Sequence, residues 1–273
     1  MTHTTSGYVD LGAGKMYYET AGTGNVVVFC HAGFVDRRMW DDQWDEFAAR
    51  YRVVRFDLRG YGQSDPADAP ICRRVDLLRL LEHLAIGRAT LAGCSMGGEI
   101  ALDFALEYPD MVEALILVSS VPSGFALQGE PPRYLLEMIG ALEAGDLDRA
   151  AELQNRIWID GSFREPDQVD VRVRQRALEM SRIPLAHNTW MAIDTQPLNP
   201  LAPAAAERLG DVRVPALIVV GELDHSEIGR AAAVMAAAMP NATSEVIPGC
   251  AHMPPMEQPA RFNQVVLNFL TQM

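Results

Sequence analysis

Positive charge is in short supply in this chain. Its 273 residues carry 23 Lys and Arg against 36 Asp and Glu, a formal net charge of −13 at pH 7. That balance argues against a basic face for nucleic acid or for an anionic membrane surface. Cysteine is scarce too. Cys30, Cys72, Cys94 and Cys250 show neither C-x-x-C spacing nor a metal pattern. Cys30, Cys94 and Cys250 lie in or beside apolar or glycine-rich segments, where buried free thiols are expected. A reducing, cytoplasmic setting fits them. No apolar run approaches the ~20 residues that span a bilayer. The stretch Met1 to Tyr8 lacks the basic and apolar regions of a secretory signal. Internal repeats and low-complexity tracts are absent. So are metal-ligand clusters and a G-x-G-x-x-G, and no metal or other cofactor is implied.

What is present is ordinary globular material, 49% hydrophobic and 22% charged, long enough to bury a sizeable core. Short apolar runs alternate with helical patterns. Val26–Cys30, Arg52–Phe56, Ala89–Ala92, Leu115–Val118 and Ala216–Val220 read as strands, with Glu245–Ile247 as a shorter one. Between them Asp41–Arg50, Val75–Leu84, Gly97–Tyr108, Glu227–Met239 and Pro259–Leu270 have helical spacing. Near-continuous apolar strands separated by helices predict a mostly parallel sheet covered on both faces. Gly7–Leu11 and Lys15–Glu19 predict an antiparallel hairpin at its edge.

The alternation stops between about Val121 and Val214. Pro131–Ala144, Leu147–Trp158, Gln168–Arg182 and Leu185–Ala192 there have helical spacing and charged faces, and prolines punctuate both flanks. We therefore expect a core domain from 1–120 and 215–273, with 121–214 as a helical lid inserted after the sixth strand.

The chemistry-bearing signal is Gly93-Cys94-Ser95-Met96-Gly97, a G-x-S-x-G between an apolar strand and a helix. A tight strand-to-helix turn forces its central residue into strained angles, so its neighbours need little or no side chain. The serine hydroxyl is then pushed out at a helix N-terminus, where developing negative charge is favoured. An alcohol needs a base and a group to orient that base. Asp224 follows the strand Ala216–Val220, and His252 sits on a Gly/Pro-rich loop after the last short strand. Glu222 competes as the acid and His225 as the base, and Asp224 could serve instead as a helix N-cap. The order Ser95, Asp224, His252 and the position of each past a strand's C-terminal end suit an open α/β sheet.

These motifs, with His31-Ala32-Gly33-Phe34 after the third strand and Asp57-Leu-Arg59-Gly-Tyr61-Gly-Gln-Ser64, resemble the α/β-hydrolase family over essentially the whole chain. The resemblance implies the α/β-hydrolase fold. It also implies Ser95 as nucleophile, His252 as general base and acid, and Asp224 as holder of the imidazole tautomer. The oxyanion hole would use the Met96 N–H and one N–H from the loop after His31. Gly33 is first choice and Phe34 second, because Ala32 stands where the family has glycine. His31, Asp57 and Arg59 are expected to pin their loops rather than react. Cys94 is expected to point away from substrate.

Serine rather than aspartate at the nucleophile position points to acyl chemistry. Phe34 and Met96 flank the expected hole, and the lid offers Trp158, Trp190, Met180, Met191 and Ile183 as pocket residues. The pattern is similar to small bacterial carboxylesterases and to 3-oxoadipate enol-lactonases, so a small ester or lactone is the expected partner. Cofactor-free haloperoxidases share the triad. C–C-bond hydrolases rank lower because the His31 loop lacks their G-x-G pattern, and a ligand-binding relative without turnover is the alternative of a different class. A homodimer is compatible with the sequence but not required by it.

Overall fold

The computed structural model describes residues 3–67, 69–195 and 197–273. Among these, eight strands form one sheet: β1 (Thr5–Asp10), β2 (Lys15–Ala21), β3 (Val26–Cys30), β4 (Arg52–Phe56), β5 (Ala89–Cys94), β6 (Val112–Val118), β7 (Ala216–Gly221) and β8 (Ala242–Ile247). Their spatial order is β1-β2-β4-β3-β5-β6-β7-β8. β1/β2 and β2/β4 pair antiparallel, and every other neighbouring pair is parallel. The hairpin thus lies at the sheet edge, as its turn signals predict.

Helices α1 (Asp41–Ala48), α2 (Arg73–His83), α3 (Met96–Glu107), α8 (Ser226–Ala238), α9 (Pro254–Glu257) and α10 (Pro259–Leu270) belong with the sheet. Between β6 and β7 lie α4 (Leu135–Glu143), α5 (Leu147–Gln154), α6 (Val171–Ala186) and the short α7 (Ala205–Arg208). Strand residues alternate between two apolar layers. Val28, Leu91, Leu115, Leu117 and Ile218 pack into one, with α2, α3 and α8. Val27, Phe29, Ala92, Ile116, Val118 and Val219 pack into the other, with α1 and α10. Full burial on both faces explains why these strands read as unbroken apolar runs. After β3 the chain crosses outward to β4, and β5 then forms on the opposite side of β3. Loops leaving the C-terminal ends of β3 and β5 therefore diverge and open a crevice between them.

The segment between β6 and β7 is helical, but its details depart from the local pattern. Leu185–Ala192 is not one helix. α6 continues through Pro184 to Ala186, Asn188 turns with φ +52°, and a separate π-helical turn spans Trp190–Asp194. The Thr189 hydroxyl anchors that turn by donating to the Gly60 carbonyl at 2.9 Å. A second π-helical turn, Asn155–Ile159, continues α5. Helix α4 begins at Leu135 rather than Pro131. Helices α4 and α5 share an apolar cluster of their own with Ile157 and Leu185. In contrast, Ala205, Leu209 and Val212, which the sequence reading assigns to the insertion, are buried with the core cluster on the α3 side.

Candidate active site

Ser95 follows β5 with φ 50° and ψ −117°. Its N–H still donates to the Val118 carbonyl at 2.8 Å, extending the β5–β6 ladder. Its carbonyl already accepts from Gly98 and Glu99 N–H at 2.9 and 3.0 Å, opening α3. One residue thus serves strand and helix at once, at a backbone cost of about 1–3 kcal/mol. The close approach explains the glycines. A Cβ on Gly93 would lie 2.2 Å from the Gly97 carbonyl oxygen, and one on Gly97 would lie 2.3 Å from that of Cys30. Met96, first in α3, has one of the amides left over at any helix start. Cys94 is buried with its sulfur toward the His252 carbonyl at 3.8 Å, and burial pushes its thiol well up.

Asp224 lies just after β7 and His252 on the loop after β8. The His252 Nδ1 is 3.0 and 2.9 Å from the two Asp224 carboxylate oxygens. A carboxylate only accepts, so Nδ1 carries a proton, and in the neutral ring Nε2 is the acceptor. His252 is 1% exposed, and its Nε2 has no hydrogen-bond partner among the described residues. A basic nitrogen left buried and unbonded is costly; here it belongs to a groove lined by both His252 and Ser95. Trp158 packs over the imidazole with centroids 4.6 Å apart, and it also stacks on Phe34 at 6.0 Å. The competing groups have other work. Glu222 accepts from Gly249 N–H at 3.0 Å, and His225 caps α8 through Glu227 N–H at 3.3 Å.

His31 holds the loop after β3. Its Nε2 accepts from Leu58 N–H at 2.9 Å, so Nδ1 carries the proton that it shares with the Ala32 carbonyl at 2.7 Å. Burial lowers its pKa to about 4, which keeps the ring neutral. Ala32 N–H is already directed at the Met39 sulfur, 3.3 Å away. Asp57 accepts from Arg37 N–H and Gln63 N–H at 2.9 and 2.8 Å, and burial together with the Asp36 charge pushes it up to about 6. Arg59 makes a bidentate pair with Asp76, both contacts 2.8 Å. None of the three lines the space around Ser95.

That space has two parts. A cavity of about 250 Å³ is lined by Gly33, Phe34, Ser95 and Met96 on the core side and by Trp158 and Trp190 above. A more open groove of about 640 Å³ runs past Ser95 and His252 between the 121–132 strap and the start of α8. Met180 and Met191 need correction as pocket residues. Met180 is 1% exposed and packs with Val173 and Ala177, while Met191 faces outward at 41% exposure. Ile183 also lines neither space; Pro184 and Leu185 reach the cavity instead, because α6 presents the next two positions to it. Sequence reasoning missed Tyr61, Glu99, Gln154 and Asp194, which line the cavity as well. Of these only Glu99 carried a local signal, since it sits one helical turn after Ser95.

A sheet of this order, with a strained serine past β5 and a histidine–carboxylate pair past β7 and β8, is the architecture of a hydrolase. The chain belongs to the alpha/beta hydrolase family, whose sequence model matches residues 27–265. It is 30% identical over 267 residues to a 2-hydroxy-6-oxononadienedioate/2-hydroxy-6-oxononatrienedioate hydrolase of Burkholderia vietnamiensis, covering 94% of this chain and 91% of that one. It is 28% identical to a pimeloyl-[acyl-carrier protein] methyl ester esterase of Yersinia enterocolitica, with 94% and 98% covered. Among solved structures it is similar to a thermophilic esterase from Thermogutta terrifontis, with TM-score 0.78, 26% identity and 98% of both chains covered.

Proposed function

We propose that the protein hydrolyses a small carboxylic ester through an acyl-enzyme on Ser95. The observation that carries this reading is the buried His252 Nε2, unpartnered, in the groove it shares with Ser95. In the proposed reaction the Ser95 oxygen attacks the ester carbonyl and its proton passes to His252 Nε2. Asp224 fixes the tautomer and balances the imidazolium. The oxyanion points at the Met96 N–H and at an N–H of the loop after β3. Gly33 is favoured over Phe34, whose amide faces the Tyr61 hydroxyl. Collapse expels the alcohol, which takes the proton from His252. Water then gives a proton to His252, attacks the acyl carbon and releases the acid, and the proton returns to Ser95.

His252 lines the groove and not the cavity. The leaving alcohol, which must receive its proton, therefore belongs on the groove side and the acyl group in the cavity. The helices between β6 and β7 act as the lid, supplying Trp158 and Trp190. A lactone, being an internal ester, passes through the same steps. A substrate with two carboxylates, such as the dioates in the name of the Burkholderia relative, would find no basic side chain among the described residues of the cavity lining. That absence favours ester over C–C hydrolysis. The test is turnover of p-nitrophenyl esters from acetate to dodecanoate, with Ser95→Ala alongside. We expect turnover that peaks at short chains and falls by several orders of magnitude in the variant. A Ser95→Ala protein retaining most of the activity would overturn the mechanism.

A further inference from the structure

The cavity beside Ser95 is rich in acceptors and has no cation of its own. Its lining includes Glu99, Asp194, Gln154 and the indoles of Trp158 and Trp190, and among the described residues no lysine, arginine or histidine. Asp194 is already committed, accepting from the Tyr61 hydroxyl at 2.5 Å and from Arg73. Arg73 gives only its Nη2 to Asp194; its Nη1 has no hydrogen-bond partner among the described residues, and with Arg74 it lines a smaller space of about 100 Å³ that shares Met96, Glu99 and Asp194 with the cavity. The Glu99 carboxyl, by contrast, makes no hydrogen bond or ion pair with any described residue. It stands one helical turn from Ser95, bonded through its own N–H to the Ser95 carbonyl at 3.0 Å. Both side chains line the same cavity. Gln154 is 6% exposed, and its amide oxygen likewise has no partner.

Resting on the esterase reading, we infer that Glu99 sets the specificity of the cavity, taking a cationic nitrogen on the acyl part of the substrate and turning away acyl groups that end in a carboxylate. An ammonium supplies the donors that the Glu99 carboxylate and the Gln154 oxygen lack, and charge-assisted bonds of this kind are the strong ones. The indole faces of Trp158 and Trp190 suit the same cation. A terminal carboxylate meets like charge and no counterion. Glu99 also lines the groove that holds His225, Glu227 and His252 and the smaller space that holds Arg73 and Arg74, yet its carboxyl makes no hydrogen bond or ion pair with any of them. Asp103 on α3 is held by Ser123 at 2.7 Å and stands 3.9 Å from Arg74, and Asp194 is held as described.

Glu99 is exposed into the spaces beneath the helices between β6 and β7, and partial desolvation there with the charges of Asp103 and Asp194 pushes its carboxyl up to about 7. A carboxyl raised in this way is ionised only above that pH. Preference for an ammonium, itself protonated up to ~10, therefore grows as pH rises from 6 to 8.

Three methyl esters of equal length test the assignment: methyl 6-aminohexanoate, methyl hexanoate and monomethyl adipate, followed by proton release. The wild-type protein should prefer the cation over the anion in kcat/KM on the order of 30-fold at pH 8, mostly through KM. Glu99→Gln should collapse that ratio to about threefold and Glu99→Asp restore part of it. A ratio cancels whatever either substitution does to the catalytic step. In the wild-type protein alone, the ratio of aminohexanoate to hexanoate ester should climb between pH 6 and 8. An unchanged ratio in Glu99→Gln, a pH-independent ratio, or a preference for monomethyl adipate overturns the inference while leaving the esterase reading intact. If none of the three esters is hydrolysed, p-nitrophenyl ester turnover decides the esterase reading. Calorimetric titration with hexylammonium and hexanoate then decides this inference: tighter hexylammonium binding sustains it, and equal or weaker binding overturns it.

Discussion

Asp224→Asn isolates one proton. In the wild-type protein the Asp224 Oδ1 accepts from His225 N–H at 2.7 Å, and Oδ2 lies 2.9 Å from the His252 Nδ1. Asparagine must keep its oxygen where His225 N–H donates, because an NH2 there would set two donors against each other. Its NH2 therefore takes the place of Oδ2 and faces Nδ1. The imidazole accepts that donor by moving its proton to Nε2, since the alternative leaves Nδ1–H against the NH2 and sharing, at 3.0 Å, an oxygen that His225 N–H already occupies; a protonated Nε2 cannot take the Ser95 proton. The shape of the site is unchanged, so the loss is one of tautomer. Such a substitution in a serine–histidine–aspartate site costs about 10⁴ in kcat, or ~5.5 kcal/mol of barrier at ~1.36 kcal/mol per decade. The assay is kcat on p-nitrophenyl acetate together with the melting temperature. Hydrogen bonds are exchanged rather than lost, so Tm should move by no more than about 4 °C. A variant within tenfold of the wild-type rate would refute the argument and place the orienting acid elsewhere.

Two further substitutions probe the scaffold. His31 is held neutral with its pKa near 4 by burial, whereas an unfolded chain protonates it below ~6.5. The unfolded state binds more protons between those values, so this residue's contribution is lost as pH falls through the window, up to ~3 kcal/mol. Urea unfolding at pH 7.5, 5.5 and 4.5 should show a shallower acid loss in His31→Gln than in wild type. Asp57, raised to about 6, acts in the opposite sense and cancels in the comparison. Equal slopes would show that His31 is not the acid-sensitive group. Gly97→Ala places a Cβ 2.3 Å from one backbone oxygen and 2.6 Å from another, with no flexible side chain to yield. We expect at least ~2 kcal/mol of lost stability and a large fall in turnover, since β3 and α3 must part where Ser95 sits. Wild-type stability and rate in this variant would show that the turn is slack.

Much of the scaffold was legible because its causes are local. Buried parallel strands read as apolar runs, and helices show their period. The Ser95 turn announces itself because only glycine fits where backbone meets backbone, as at Gly93 and Gly97. Asp224 and His252 could be picked out because each follows a readable strand. The insertion was harder. The local pattern of Leu185–Ala192 is that of one helix, whereas Asn188, with φ +52°, breaks the chain there. Met180 and Met191 resembled pocket residues only by composition.

Sequence alone, then, determined the order of strands and helices, the strained turn at Ser95 and the placing of Asp224 and His252 past strand ends. Each of these follows from side-chain volume, period or backbone conformation within a few residues. Tertiary structure alone decided what surrounds Ser95. Two π-helical turns bring in Trp158 and Trp190, and Tyr61, Gln154 and Asp194 converge from three separate segments. It also left Glu99 unpaired among them. No short-range pattern encodes that arrangement, because it depends on which surfaces of distant segments close on one another when the insertion packs over the sheet.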